Sequence, residues 1–104
     1  MANIMNCTPD VEVVFHFNGK KKHKIKSGYR PDHKIRDDYL TTGIHCYENE
    51  YADPDGDIKG TITFLDPSSY PHSLWKGKRI IIQEGEHIVG YAEVIRILNK
   101  TLKA

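Results

Sequence analysis

The six histidines of this sequence are the residues best suited to bind a metal or to move a proton. They are His16, His23, His33, His45, His72 and His87. None has a partner at the short spacing that zinc sites use, and side chains that alternate along a strand divide between its two faces. The pattern therefore favours histidines on sheet surfaces and predicts no metal site.

Nucleophilic or acid–base catalysis would need reactive side chains that face one another. Cys46 directly follows His45, but neighbours in a strand point to opposite faces, so the imidazole would not reach the thiol. We expect Cys46 to be a small core residue instead. The sequence also has no Gly-x-x-x-x-Gly-Lys-Ser/Thr run and no Gly-x-Gly-x-x-Gly run. We therefore expect no catalytic residues, no cofactor, no nucleotide binding and no enzymatic activity.

Basic and aromatic residues are concentrated between positions 20 and 36. They are Lys20, Lys21, Lys22, Lys24, Lys26, Tyr29, Arg30, His33, Lys34 and Arg36. Such interleaving can follow a phosphate backbone. The carboxylates of Asp32, Asp37 and Asp38 dilute the charge, however, and a solvated edge hairpin is the competing interpretation. Both interpretations stay open from the sequence.

The elements that must position these residues are strands. Val11 to Phe17 alternates apolar and other side chains, which predicts a strand. Asn18-Gly19 then predicts a type I′ hairpin turn, after which the lysine-rich segment would return as an exposed partner strand. Further strands are predicted at 39–47, 58–66, 79–83 and 86–98. In the last of these, one alternation unites Val89, Tyr91, Ile95 and Ile97, with a kink at Gly90. Closely spaced strands without helices predict an all-β antiparallel barrel or sandwich.

Length and composition indicate one globular domain. The chain has 104 residues, 38% of them hydrophobic and 28% charged, and its formal net charge of +1 gives no overall reason to expect strong nucleic-acid binding. The two cysteines lack a C-x-x-C spacing, which favours a cytoplasmic protein with reduced thiols. No signal peptide is expected, because residues 1–10 contain no basic region followed by an apolar run. No membrane partner is expected, because no run approaches the roughly 20 apolar residues of a membrane helix. We expect a monomer, with Trp75 at least partly packed over one barrel end.

Two segments of the chain, taken together, resemble one known family. Residues 27–44 read SGYRPDHKIRDDYLTTGI, and residues 77–98 read GKRIIIQEGEHIVGYAEVIRIL. They are similar to the third, C-terminal domain of elongation factor Tu. In that family a Gly-Tyr-Arg-Pro turn leads into a strand ending in Thr-Gly, and a later segment carries Arg-Glu-Gly-Gly-Arg-Thr-Val-Gly. The likeness divides the chain into a flexible N-terminal segment (1–10), a barrel domain (11–98) and a C-terminal tail (99–104).

The resemblance implies a six-stranded antiparallel β-barrel that binds without catalysing. The family's GTPase activity belongs to its first domain, which we expect to be missing here. Its third domain binds the T-arm of aminoacyl-tRNA, the nucleotide-exchange factor and the other domains. The implied function is a non-catalytic binding module for a protein of the translation apparatus or a related partner. The alternative is a weak tRNA- or RNA-binding module that uses the basic surface from Lys20 to Arg36.

The candidate binding residues combine the family motifs with the basic cluster. They are Lys20, Lys22, Lys24, Tyr29, Arg30, His33, Lys34, Arg36, Thr42, Glu84 and His87. Thr42 and Glu84 keep the family's residues. The family's Gln after the turn is Asp32 here, and its Arg-Glu-Gly-Gly-Arg reads Gln-Glu-Gly-Glu-His from Gln83 to His87. Two positive charges are lost and two negative charges are gained, and fewer phosphate contacts weaken binding to tRNA. A protein partner is therefore the first expectation.

Overall fold

The strands of this chain close into one antiparallel barrel. The computed structural model describes residues 8–37 and 39–104. The six barrel strands are β1 (Val11–Phe17), β3 (Asp32–Arg36), β4 (Tyr39–Tyr47), β6 (Asp57–Phe64), β7 (Arg79–Glu84) and β8 (His87–Ile97). They follow the order β1-β6-β4-β3-β7-β8, and β8 pairs again with β1. The predicted all-β fold, a closed six-stranded antiparallel barrel, is confirmed.

In the described part of the chain, three short elements lie outside the barrel wall. A two-stranded sheet joins β2 (Ile25–Lys26) to β5 (Tyr51–Ala52), and two 3₁₀ helices span Pro67–Ser69 and Lys100–Leu102. No helix in the described part of the chain is long and apolar enough to span a membrane.

Alternating side chains of β1 illustrate how the barrel core forms. Val11, Val13, Phe15 and Phe17 are buried, whereas the residues between them are partly exposed. The same period of two operates in β3, β4 and β7, because successive side chains of a strand point to opposite faces. The inward side chains of the strands form the hydrophobic core.

In β8 the inward face changes part-way along the strand. Val89 and Gly90 are both buried, and after them the interior positions pass to Ala92 and Val94. The register between β7 and β8 shifts at this point, since Ile82 lies opposite Gly90 and the next residue of β7 lies opposite Ile88. The kink predicted at Gly90 is thus a bulge, and the single alternation predicted for this strand is wrong beyond it.

The segment after Asn18-Gly19 does not return as a hairpin strand. Gly19 does adopt a φ of +82°, and the Asn18 side chain accepts a hydrogen bond from the Lys20 N–H at 2.9 Å. Both edges of β1, however, are occupied by β6 and β8. The lysine-rich chain therefore leaves the wall, and only its last part, β2, pairs with β5. The predicted hairpin is wrong because barrel closure takes both edges of β1.

The two barrel ends carry different groups. We call the end where β1, β4 and β7 finish the upper end, and the opposite end the lower end. The lysine loop, residues 20–26, lies at the upper end between β1 and the β2–β5 sheet. The turn that contains Trp75 and the second 3₁₀ helix lie at the lower end.

The described parts of both chain termini are packed against the lower end. Asp10 is only 6% exposed, and its carboxylate accepts hydrogen bonds from the Phe64 N–H at 2.7 Å and the Asn99 side-chain amide at 2.8 Å. Leu102 in the predicted tail is fully buried. Asp10 therefore belongs to the folded barrel, whereas residues 1–7 of the segment predicted to be flexible lie outside the described residues.

Candidate binding surface and the polar chain beneath it

Seven of the sequence-predicted binding residues share the upper end. Lys20, Lys22, Lys24, Arg30 and His87 are exposed there, and Tyr29 and Glu84 are partly buried. Glu84 ends β7 and lies opposite His87 at the start of β8. An open groove of about 520 Å³ runs beside the lysine loop, and Lys21, Lys24 and Tyr29 contribute to its walls. These residues form what we call the upper surface.

The four remaining predicted residues lie in the barrel interior or on its outer wall. His33 is fully buried in the barrel, so its prediction as a surface contact is wrong. Lys34 points outward on the wall, with Leu40 and Ile81 on the neighbouring strands. Arg36 is exposed at the lower end of β3, about 13 Å along the strand from Asp32. The basic segment from position 20 to 36 is therefore not one continuous patch.

Thr42 also lies on the outer wall. Its hydroxyl donates to an Asp32 carboxylate oxygen at 3.4 Å, a long hydrogen bond between the neighbouring strands β3 and β4. Thr42 and Asp32, the position at which the chain departs from the family's Gln, are thus side by side near the upper end.

The lysine loop is fastened to the barrel by one carboxylate. The Lys21 ammonium lies 2.7 Å from a Glu84 oxygen, and the Tyr29 hydroxyl donates to the same oxygen. Lys21 also lies 5.0 Å from the centre of the Tyr29 ring. The hydrogen bonds from Lys21 and Tyr29 lower the pKa of Glu84, while burial and the Glu84 carboxylate raise the pKa of Tyr29. Glu84 therefore stays ionised and Tyr29 stays protonated.

Acidic side chains border the lysine loop. Glu48, Glu50, Asp53 and Asp55 are exposed in the chain around β5. This acidic segment is joined to the lysine loop through the β2–β5 pair. It is also joined through the Gly19 N–H, which donates to the Pro54 carbonyl at 2.8 Å. We include these acidic residues in the upper surface, which therefore consists of a basic strip beside an acidic strip.

Beneath the upper surface, two histidines cross the barrel interior. The Nε2 atoms of His33 on β3 and His45 on β4 are 2.7 Å apart. His33 Nδ1 lies 3.2 Å from the Thr41 carbonyl, and His45 Nδ1 lies 2.8 Å from the Tyr47 hydroxyl. Gly43 makes room for this pair, because a Cβ at that position would lie 2.8 Å from the His33 ring.

The hydrogen bonds fix how protons are placed along this chain of four groups. A carbonyl only accepts, so His33 carries its proton on Nδ1 and accepts at Nε2 from His45. His45 must then accept at Nδ1 from the Tyr47 hydroxyl. Burial lowers the pKa of His33 to about 4 and lowers that of His45 well below its usual value, with the neighbouring His33 adding to the second shift. Both rings are neutral near pH 7, and every ring nitrogen has a partner.

The prediction that the histidines lie on sheet surfaces is wrong for His33 and His45. Cys46, predicted as a core residue, is partly exposed on the outer wall, and His45 takes the interior position instead. The strand period contained the signal, since Tyr47 and His45 share one face of β4 and Ile35 and His33 share one face of β3. Within the described residues, no group of three or more His, Cys, Asp or Glu side chains could hold a metal ion.

No family model matches this chain, and no curated protein matches it.

Proposed function

We propose that this barrel is a non-catalytic binding module that contacts a protein of the translation apparatus through its upper surface. The observation that carries the proposal is the fastened lysine loop. Because Glu84 holds Lys21 and Tyr29, the loop presents Lys20, Lys22 and Lys24 from a defined backbone. A fixed loop loses less conformational entropy on binding than a free one.

The adjoining acidic strip favours a protein over a polyanion. Glu48, Glu50, Asp53 and Asp55 would repel phosphates that approach the lysines closely. A protein surface with both signs of charge can match both strips, which gives orientation and specificity. Tyr51, in the acidic strip and opposite Lys26, is 45% exposed and offers an aromatic contact of the kind enriched at protein interfaces.

The resemblance to the third domain of elongation factor Tu supports a translation partner. A closed six-stranded antiparallel barrel is compatible with that domain. The Gly-Tyr-Arg-Pro turn leads directly into β3, and Glu84 lies at the same end of the barrel. The family's nucleotide-exchange factor is therefore the first partner to test.

Weak binding of tRNA or other RNA is the second candidate. It draws on Lys20, Lys22, Lys24, Lys26 and Arg30, whose cationic groups are all exposed at one end. RNA bound by these residues would dissociate steeply with added salt, because counterions are taken up again as the phosphates are released.

The two candidates separate in one titration series. The purified exchange factor and an RNA hairpin with the T-arm sequence are titrated at low and moderate salt against the wild type. The same titrations use a Lys20→Ala, Lys22→Ala, Lys24→Ala variant and a control with the same charge change away from the upper surface, Lys34→Ala, Lys76→Ala, Lys100→Ala. We expect the exchange factor to bind the wild type and the control with the same affinity. It should bind the loop variant about tenfold more weakly. Tighter binding of the hairpin, lost steeply with salt, would favour the RNA alternative, and absence of binding to both would refute a translation partner.

A further inference from the structure

A second surface lies at the lower end, beside the one tryptophan of the chain. Trp75 is 52% exposed, so a large aromatic ring meets solvent. It borders a groove of about 250 Å³. The groove is lined by Trp75, Lys76, Ile95, Arg96, Ile97, Lys103 and Ala104. An exposed aromatic ring next to aliphatic side chains is typical of a protein contact site.

The Trp75 ring is held in place before any ligand arrives. The Lys78 ammonium lies 4.4 Å from the ring centre and donates to the carbonyls of Ile35 at 2.9 Å and Ser73 at 3.3 Å. These contacts fix Lys78 against one face of the ring. The expected packing of Trp75 at a barrel end is thus partial, and its exposed part borders the groove.

The groove also follows a strand edge that the barrel leaves open. Pairing between β7 and β8 stops at Arg79 opposite Glu93, with one further pair of hydrogen bonds at Val94. On its other side, β8 pairs with β1 as far as Ile97. Among the described residues, the last three residues of β8 therefore have a strand neighbour on one side only, and an extended peptide can lie along such an edge.

Every ionisable side chain that lines the groove is basic. These are Lys76, Arg96 and Lys103. Between the described residues, the ion pairs within 4 Å are His16 with Asp57 and Lys21 with Glu84, so none of the groove cations makes such a pair, and the nearest carboxylate across the strands is Glu12, opposite Arg96 on β1. A ligand that enters the groove gains by bringing negative charge to its rim.

We propose that this groove binds an extended acidic peptide segment of a partner protein. An apolar side chain of the segment packs against Trp75 and the isoleucines of β8, while carboxylates on either side meet Arg96 and Lys103. The aliphatic wall suits an apolar side chain better than a stacked base, since one face of the Trp75 ring is already covered by Lys78. This site lies at the opposite end from the upper surface and does not depend on the function proposed for that surface.

The test uses the full protein chain and a nine-residue peptide in which Glu alternates with Leu and Phe. Trp75 is the only tryptophan, so its own fluorescence reports binding. We expect saturable binding that shifts its emission. Isothermal titration should show about tenfold weaker binding for Trp75→Ala and for the pair Arg96→Gln and Lys103→Gln, since aromatic and Arg anchors dominate such contacts. The matched control Lys24→Gln and Lys26→Gln, at the upper end, should bind as the wild type does.

Two comparison ligands make the result decisive. A peptide with Lys in place of each Glu should not bind, and one with Ser in place of Leu and Phe should bind at least tenfold more weakly. Circular dichroism melts confirm that each variant is folded. Equal binding by all variants, or loss of binding only in the upper-end control, would overturn the proposal. It would also be overturned if a single-stranded oligonucleotide bound at Trp75 more tightly than the acidic peptide.

Discussion

At Gly90 the absence of a side chain lets two strands approach each other closely. A Cβ at this position would lie 2.2 Å from the His16 carbonyl oxygen and 2.9 Å from the Phe17 Cα. Both obstacles are backbone atoms of β1, so they cannot turn aside as the end of a side chain would. The glycine therefore sets the spacing at the point where β8 bulges and its inward face changes.

The substitution Gly90→Ala should lower the free energy of unfolding by about 3 kcal/mol, because the added methyl group forces β1 and β8 apart. Gly85→Ala is the matched control. Gly85 has a φ of +57° in the turn between β7 and β8, but no described residue beyond its two chain neighbours lies within 4 Å of the added Cβ, so only about 1 kcal/mol of local backbone strain is expected. Urea denaturation of both variants measures the difference. Equal losses, or an unchanged Gly90→Ala protein, would show that the strands can move apart freely.

The barrel strands and the lysine loop differ in how far the sequence predicts them. The strands at 39–47 and 79–83 were predicted because their alternation is set locally by which residues face the core. The lysine loop was not, because its position depends on Glu84, 63 residues from Lys21 along the chain. No local pattern contains such a contact. For the same reason, the sequence predicted the identities of Tyr29, Arg30 and Glu84 as candidates but not which of them meet.

Glu84→Ala should release the lysine loop while leaving the barrel folded. Its carboxylate is the shared partner of Lys21 and Tyr29, yet the pair is near the surface, where an ion pair contributes at most about 1 kcal/mol to global stability. We expect faster hydrogen exchange at the Ser27 N–H, which donates to the Glu50 carbonyl at 2.9 Å, with little change in the melting temperature. Glu86→Ala, which removes an exposed carboxylate from the same turn, is the control and should leave this exchange unchanged. If hydrogen exchange at Ser27 is the same in Glu84→Ala and in the wild type, the contacts of Glu84 with Lys21 and Tyr29 do not hold the lysine loop in place.

The two proposed contact surfaces are separated by a barrel interior that is partly polar. The upper surface carries the lysine loop and the acidic strip, and the lower end carries the Trp75 groove. Between them, His33 and His45 form a hydrogen-bonded link inside a core that is otherwise mostly apolar. The alternation of β3 and β4 could have placed both rings inward, but only the barrel register places them 2.7 Å apart. The sequence alone therefore could not predict the pair.

The neutral histidine pair makes the stability of the barrel sensitive to mild acid. In the unfolded chain a histidine has a pKa near 6.5, whereas the pKa of His33 in the fold is about 4. Between these values the unfolded state binds more protons, so stability is full above about pH 6.5 and falls as the pH is lowered toward 4. The loss from His33 alone should reach about 3 kcal/mol, and His45, with its pKa also lowered, should add to it.

Urea denaturation at a series of pH values measures how steeply the free energy of unfolding falls between pH 6.5 and 4.5. The variant His33→Leu, His45→Leu, Tyr47→Phe removes the whole chain of titrating and hydrogen-bonding side chains and should flatten the slope between pH 6.5 and 4.5, whatever its absolute stability. The control His23→Gln, which replaces an exposed histidine of the lysine loop, is denatured over the same pH series. Glu84, whose pKa is lowered from 4.5, contributes only at lower pH and does not disturb this window. A wild-type stability that stays constant from pH 7 to 4.5 would mean that the buried pair accepts a proton without cost, contrary to its neutral state in the fold.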